Sequence, residues 1–123
     1  VSNGQYEEDF WMFDPQTEVW TRKQDITEDS DNYLLRSNAV GFSINGLGYI
    51  VAGYNNGALG DVWEYSPSSD EWEEISRLEA TIRQDPTSFS NGSRGFVLLG
   101  RTGSLYLDDN YELFPQEEFN EDD

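Results

Sequence analysis

Apolar residues in this chain come in short runs broken by turn residues, and no window repeats them at the 3.6-residue spacing of an amphipathic helix. Between Asn38 and Ile75 the pattern predicts four strands. The first, Asn38–Ile44, stops at Asn45-Gly46, a pair suited to the left-handed backbone of a tight hairpin turn. The second, Gly48–Ala52, is a continuous apolar run ended by Gly53, as expected of a strand covered on both faces. The third, Asp61–Tyr65, alternates Val62 and Glu64 with Trp63 and Tyr65. Pro67-Ser68-Ser69-Asp70 reads as a turn, and Glu71–Ile75 supplies the fourth strand. The expectation is an all-β chain.

The same pattern recurs. Asp9-Phe10-Trp11-Met12-Phe13-Asp14-Pro15 aligns with Asp61-Val62-Trp63-Glu64-Tyr65-Ser66-Pro67 at an offset of 52, and Trp20 falls on Trp72 without a gap. Asp109-Asn110-Tyr111-Glu112-Leu113-Phe114-Pro115 matches the second copy at an offset of 48, with Phe119 near the place of Trp72. A second block, Gly41–Gly46 with Gly48–Gly53, recurs as Ser88–Gly92 with Gly95–Gly100, Gly53 and Gly100 being separated by 47. Repeats of this length are supersecondary units that bury their faces only against neighbours.

A hydrophobic strand ending in Gly, followed by an aromatic and a Trp with six residues between them, resembles the Kelch motif. Tyr65 with Trp72, and Phe13 with Trp20, have that spacing. The resemblance, strongest over Val40–Ile75, is to Kelch-repeat β-propellers, including exported bacterial, galactose-oxidase-like ones. The usual Gly-Gly doublet is replaced by Gly53-Tyr54 and Gly100-Arg101, and Leu113 and Phe119 stand where Tyr and Trp are expected. The resemblance implies four-stranded antiparallel blades, about two and a half of them, in an incomplete ring. Residues 1–21 would be the outer half of one blade. Residues 22–75 would be a second blade with a long connection, 76–119 a third, and 120–123 an acidic terminus. Val1-Ser2-Asn3-Gly4 resembles the loop Tyr54-Asn55-Asn56-Gly57, so the chain is expected to begin in the middle of a blade. The partners expected on this ground are the rest of a propeller or further copies that complete the ring.

Charge narrows the function. With 25 Asp+Glu against 7 Lys+Arg the net charge is −18, which disfavours nucleic acid and anionic membrane surfaces as partners. No apolar run approaches the ~20 residues of a membrane span. The sequence has no His and no Cys, so Ser–His and Cys–His nucleophiles and imidazole or thiolate metal sites have no residues to build them. Copper sites of galactose-oxidase-type Kelch propellers, which are built with histidines, are therefore not expected. Neither a catalytic residue, a metal nor a cofactor is assigned. The acidic run Asp25–Asn32 reads as a solvated loop, since Tyr33 and Leu34 follow where a calcium loop wants a ligand and a glycine. Asn91-Gly92-Ser93 falls at a hairpin turn and carries no functional reading.

The candidate ligand-binding residues are Arg36, Arg83, Arg101, Tyr54 and Tyr33. Arg36 and Arg83 are 47 apart and occupy one place in their units, just before the innermost strand. The resemblance implies a binding face made of connections between blades (Thr21–Ser37, Ser76–Pro86) and loops within them (Tyr54–Gly60, Arg101–Ser104). That places three of the seven basic residues near one mouth of the channel. Two roles are open to them: gripping a carboxylate-bearing peptide or acidic sugar, or pairing with nearby carboxylates to tie the blades together. Trp11, Trp20, Trp63 and Trp72 are expected to pack between blades, and Tyr33 and Tyr54 to be exposed contacts. The expected function is a non-catalytic binding module for a protein or peptide. The alternative is a carbohydrate-associated exported propeller that binds glycans or has an activity like the sialic acid mutarotases. The resemblance points to the bacterial periplasm or cell surface.

Overall fold

The computed structural model describes residues 3–75, 77, 78 and 80–115. Every regular element among them is a strand: β1 Trp11–Asp14, β2 Val19–Arg22, β3 Val40–Ile44, β4 Leu47–Tyr54, β5 Ala58–Ser66, β6 Glu71–Glu74, β7 Thr87–Ser90, β8 Gly95–Leu98, β9 Arg101–Thr102, β10 Leu105–Tyr106 and β11 Asn110–Leu113. The four strands expected in the central unit form one antiparallel sheet in the order β3-β4-β5-β6, a complete blade. Asn45 and Gly46, both at positive φ, make the expected β3–β4 turn.

The other copies repeat parts of this blade. Strands β7, β8 and β11 form a three-stranded sheet, and β9 and β10 pair as a separate hairpin at its end. In the central blade the segments equivalent to β9 and β10 are the ends of β4 and β5. Phe119, expected near the place of Trp72, and residues 120–123, expected as an acidic terminus, lie outside the described residues. The first copy consists of the hairpin β1–β2, the counterpart of β5–β6. Its backbone continues the match: Lys23 N–H donates to Phe10 O at 2.8 Å and Ile26 N–H to Glu8 O at 2.9 Å. The corresponding bonds in the central blade are Ile75 to Val62 at 3.0 Å and Leu78 to Gly60 at 2.8 Å.

Apolar residues of the central blade point alternately to its two neighbours, because successive strand residues face opposite sides. Tyr49, Val51 and Val62 pack with Val97 and Leu113 of the third blade, joined by Ile44 and Leu78. Trp63, Tyr65 and Trp72 pack on the other side with Leu34, and Phe10 of the first blade inserts edge-on against Tyr65 (centroids 4.9 Å apart) and Trp72 (5.4 Å). Trp63 and Trp72 are thus inter-blade packing residues, as expected. Trp11 and Trp20 hold the same repeat positions but are 44% and 62% exposed. The seam with the third blade is closed by Phe42, whose ring lies against Gly95. It is also closed by Ser90 Oγ–H bonding to Ser43 O at 2.5 Å across the innermost strands.

Strand β4 is kinked where its register against β5 shifts, between Val51 and Gly53. Ala52 (φ 61°) and Gly53 (φ 111°) are both left-handed there, and Leu99 (φ 61°) and Gly100 (φ 95°) repeat the kink in the third blade. At Gly53 a Cβ would sit 2.8 Å from Ser37 O and 3.0 Å from the Ala39 Cβ, whereas at Gly57, also left-handed, it would meet nothing within 4 Å. Gly53→Ala is therefore expected to destabilise by about 2–4 kcal/mol through combined strain and overlap, and Gly57→Ala by only about 1 kcal/mol. Urea unfolding midpoints of the two variants check the difference. Equal shifts would show that the kink tolerates a side chain.

Candidate functional site

The kink turns two carbonyls, those of Ala52 and Leu99, toward the connections entering each blade, and an arginine meets each of them. Arg36 uses all five of its N–H donors inside the protein. Its Nε donates to Leu34 O (3.2 Å), Nη1 to Ala52 O (2.8 Å) and Asp61 Oδ1 (2.7 Å), and Nη2 to Tyr33 O (2.8 Å) and Asp61 Oδ2 (2.7 Å). Arg83 repeats four of these five bonds at the equivalent residues. Its Nε donates to Thr81 O (2.9 Å), Nη1 to Leu99 O (3.0 Å) and Asp109 Oδ1 (2.5 Å), and Nη2 to Asp109 Oδ2 (2.9 Å). The Arg36 and Arg83 side chains are 4% and 0% exposed.

The carboxylates respond accordingly. Burial alone would raise the pKa of Asp61, but the Arg36 hydrogen bonds and charge, with the Trp63 indole N–H at 2.8 Å, hold it below the ordinary carboxylate range. Asp109 is held low chiefly by its hydrogen bonds from Arg83, against the opposing effect of burial.

These contacts decide between the two roles open to the arginines. Arg36 and Arg83 are not directed at a ligand: the kink carbonyl, the carbonyls of the entering connection and the third-strand carboxylate take all five donors of Arg36 and four of those of Arg83. They do not tie one blade to the next through their side chains either. Each guanidinium clamps its own blade, from the entering connection to the third strand. The backbone of Arg83 does bridge the seam, since Gly53 N–H donates to Arg83 O and Arg83 N–H to Leu59 O, both at 2.9 Å.

The remaining candidates stay outside. The connections and the intra-blade loops do meet on one face, as expected. Ser37 pairs with Tyr54 and Gln84 with Arg101 through isolated antiparallel bridges, again 47 residues apart. Asn55 Nδ2 donates to Leu35 O at 2.7 Å and fixes the Tyr54 loop on the connection that carries Tyr33. Tyr33 is 74% exposed and Tyr54 38%. Arg101, half-exposed, donates from Nε to Asp85 Oδ2 at 3.2 Å, and Asp85 is also bonded by the Asn38 amide. The Asn38 bond, aided by Arg101, lowers the pKa of Asp85 and keeps it anionic.

Arg101 and Asp85 form the polar rim of a groove completed by Leu99, Gly100, Tyr106 and Leu107. The apolar floor has a counterpart in the central blade, and there it is filled: a Cβ on Gly60 would come within 2.7 Å of Ile82 Cγ2, and Arg83 bridges Leu59 and Gly53. In the third blade the corresponding floor stays open, and the rim faces solvent. Asp85 and Tyr106 were not singled out by sequence. Their signal was available, because they stand 47 residues after Asn38 and Leu59. Among the described residues, no group of three or more carboxylates is placed to hold a metal ion, and no helix is long and apolar enough to cross a membrane.

Comparisons with known proteins agree with this architecture. Residues 35–79 match the family model of the Kelch motif. No curated protein matches the chain. A solved structure of YjhT superposes with a TM-score of 0.64 at 19% identity, covering 77% of this chain. At that identity the likeness establishes the fold alone. The chain spans 28% of the length of YjhT.

Breaking a buried pair leaves the partner charge stranded, so Arg36→Met is expected to cost about 3–5 kcal/mol. The acid limb of stability gives a second test. Because the folded pKa values of Asp61 and Asp109 are depressed, their contribution is fully present above the unfolded value of about 4 and is lost as pH falls toward the folded values. Urea titrations between about pH 5 and pH 2 should show a shallower acid loss in Asp61→Asn than in the parent. An unchanged slope would show that the pair does not couple to folding.

Proposed function

We propose that these Kelch-repeat β-propeller blades serve a protein-interaction propeller, with the partner held on the loop face that carries Tyr33, Tyr54 and Arg101. The observation that carries the reading is the contrast on that face. Its arginines beneath are locked into ion pairs, while two tyrosines and an Arg–Asp pair stand in solvent on loops that those ion pairs hold rigid. Exposed tyrosines on rigid loops are efficient anchors, because little side-chain freedom is lost on binding. Burial of Arg36 and Arg83 removes the positive charge that favoured a carboxylate-bearing ligand. The loop around Tyr33 holds Glu28, Asp29 and Asp31, which suits a positively charged peptide segment better.

No catalytic role is assigned to these residues, since the sequence contains neither histidine nor cysteine. The outward faces of the first and third blades belong to the same reading. Trp11, Phe13 and Trp20 on one, and Phe89 and Leu99 on the other, are 44–62% exposed, and further blades that complete a ring would cover them. A glycan is the second reading, favoured by Tyr33 and Tyr54, whose rings are free to stack on a sugar.

Selection of the chain against a displayed random-peptide library and against a glycan array separates the readings. The expected result is enrichment of basic peptides, with affinity reduced at least tenfold in Tyr54→Ala and in Tyr33→Ala, each worth ~1.4 kcal/mol or more. Peptide binding that ignores both substitutions would remove the loop face from the reading. Glycan binding without peptide binding would replace it by the second.

A further inference from the structure

The turn between β7 and β8 holds an asparagine in a bonding pattern that the other Asn-Gly pairs of the chain lack. Asn91, Gly92 and Ser93 are exposed, and Asn91 N–H donates to Arg94 O at 3.1 Å, closing the hairpin over Gly92 and Ser93. Three donors converge on the side-chain oxygen Asn91 Oδ1: Ser93 N–H at 3.0 Å, Ser93 Oγ–H at 3.1 Å and Arg94 N–H at 2.8 Å. The two backbone N–H groups can meet only an acceptor, so they fix which end of the carboxamide is oxygen. On the next peptide, Gly92 N–H donates to Ser90 Oγ at 3.1 Å.

The chain has four Asn-Gly pairs, at Asn3, Asn45, Asn56 and Asn91. In each, the nitrogen that follows the carboxamide belongs to a residue with no side chain to hinder its approach. Asn3, Asn45 and Asn56 stand at left-handed φ values of 50°, 52° and 56°, whereas Asn91 does not. Among the described residues no donor meets the side-chain oxygens of those three. The bond from Ser93 N–H, by contrast, folds the Asn91 side chain back over the peptide that links it to Gly92.

We propose that Asn91 is a site of self-modification, at which the Gly92 amide attacks the Asn91 carboxamide and the chain converts to aspartate and isoaspartate. Gly92 N forms a bond to Asn91 Cγ and the Cγ–Nδ2 bond breaks. Nδ2 leaves as ammonia, with the proton that Gly92 N gives up. Water then opens the five-membered imide, and nothing is oxidised or reduced. Opening at Cγ yields aspartate. Opening at the main-chain carbonyl yields isoaspartate, whose backbone runs through the side chain and is one methylene longer. The turn favours the attack in two ways. Negative charge that develops on Oδ1 is met by three donors already aimed at it, and Ser90 Oγ already holds the proton that Gly92 N must lose.

The position gives the reaction a structural effect. Across the seam between the second and third blades, Gly92 O accepts from Asn45 N–H at 2.7 Å, Gly92 bridges Ile44, and Ser90 Oγ–H bonds Ser43 O. Aspartate keeps the turn, because a carboxylate accepts the same three donors. Isoaspartate inserts a methylene between Ser90 and Gly92, both anchored on the facing blade, and so loosens this end of the seam.

The test is incubation of the full chain in mildly alkaline buffer, with peptide mapping by mass spectrometry at intervals. Asn91 should convert at least threefold faster than Asn45 or Asn56 in the folded chain. In urea the three should convert at rates similar to one another, because the turn that supplies the donors is gone. Ser93→Ala removes one donor and should slow conversion of Asn91 at least threefold in the folded chain, with no effect in urea. Conversion of Asn91 no faster than that of Asn45 and Asn56 overturns the proposal, and so does a Ser93→Ala variant that converts as fast as the parent. Hydrogen exchange at the Asn45 amide reads the seam. It should be at least fivefold faster in the isolated isoaspartyl form than in the parent and unchanged in Asn91→Asp. Equal protection in the isoaspartyl form and the parent would overturn the effect on the seam.

Discussion

A buried guanidinium whose donors must all find acceptors organises the second and the third blade of this protein. Desolvating an arginine is expensive, and the cost is offset only when every donor is met with good geometry. At Arg36 the acceptors come from three places: the connection entering the blade, the left-handed kink of β4, and Asp61 on β5. None of the three satisfies it alone. The kink itself is strained, since Ala52 and Leu99 hold positive φ values that side chains avoid. Strain and desolvation therefore relieve one another. The carbonyl that the kink turns inward would be an unmet buried acceptor without the arginine, and the arginine would lack a partner without the kink.

This arrangement also shapes the electrostatics of the surface. Two of seven basic residues are neutralised inside the blades, and Arg22 and Arg94 are engaged with Asp25 and Glu112 at the surface. The loop face consequently exposes Tyr33, Tyr54 and the Arg101–Asp85 pair. Arg36 fixes the backbone from which Tyr33 and Tyr54 project. Arg36 Nη2 bonds the carbonyl of Tyr33 itself.

Much of the fold was legible because the repeat is written in residue types with strong local meaning. Asn45-Gly46, the apolar run of β4 and the Tyr65–Trp72 spacing each predict one feature, and all three are found where expected. The meeting of the connections with the intra-blade loops was implied by the resemblance to Kelch repeats. The direction of the arginines did not. Whether a guanidinium points out or in depends on which carbonyls are turned toward it, and that depends on Ala52 and Leu99, residues with no sequence signature for positive φ. The signal was nevertheless present in a weaker form. The arginines and the aspartates repeat together, Arg36 with Asp61 and Arg83 with Asp109, and a recurring opposite-charge pair at similar spacing is better evidence for a structural bond than for a ligand site.

The tryptophans show a different limit. Trp20 and Trp72 have the same local sequence role, yet one is 62% exposed and the other 7%. Nothing in either residue's own strand accounts for this; the difference is Phe10 and Leu34, which cover Trp72 from outside its sheet. Burying an aromatic side chain removes roughly 150–250 Å² from water, on the order of 4–6 kcal/mol as an upper bound. A single neighbour contact of this type is comparable with the whole stability of a small domain. Stability in such an array resides between units as much as within them, so the central blade, covered on both faces, is the most firmly held. Tyr54 projects from that blade, and Tyr33 from the connection clamped to it by Arg36. The residues best suited to contact a partner therefore stand on the part of the chain that has least conformational freedom left to lose on binding.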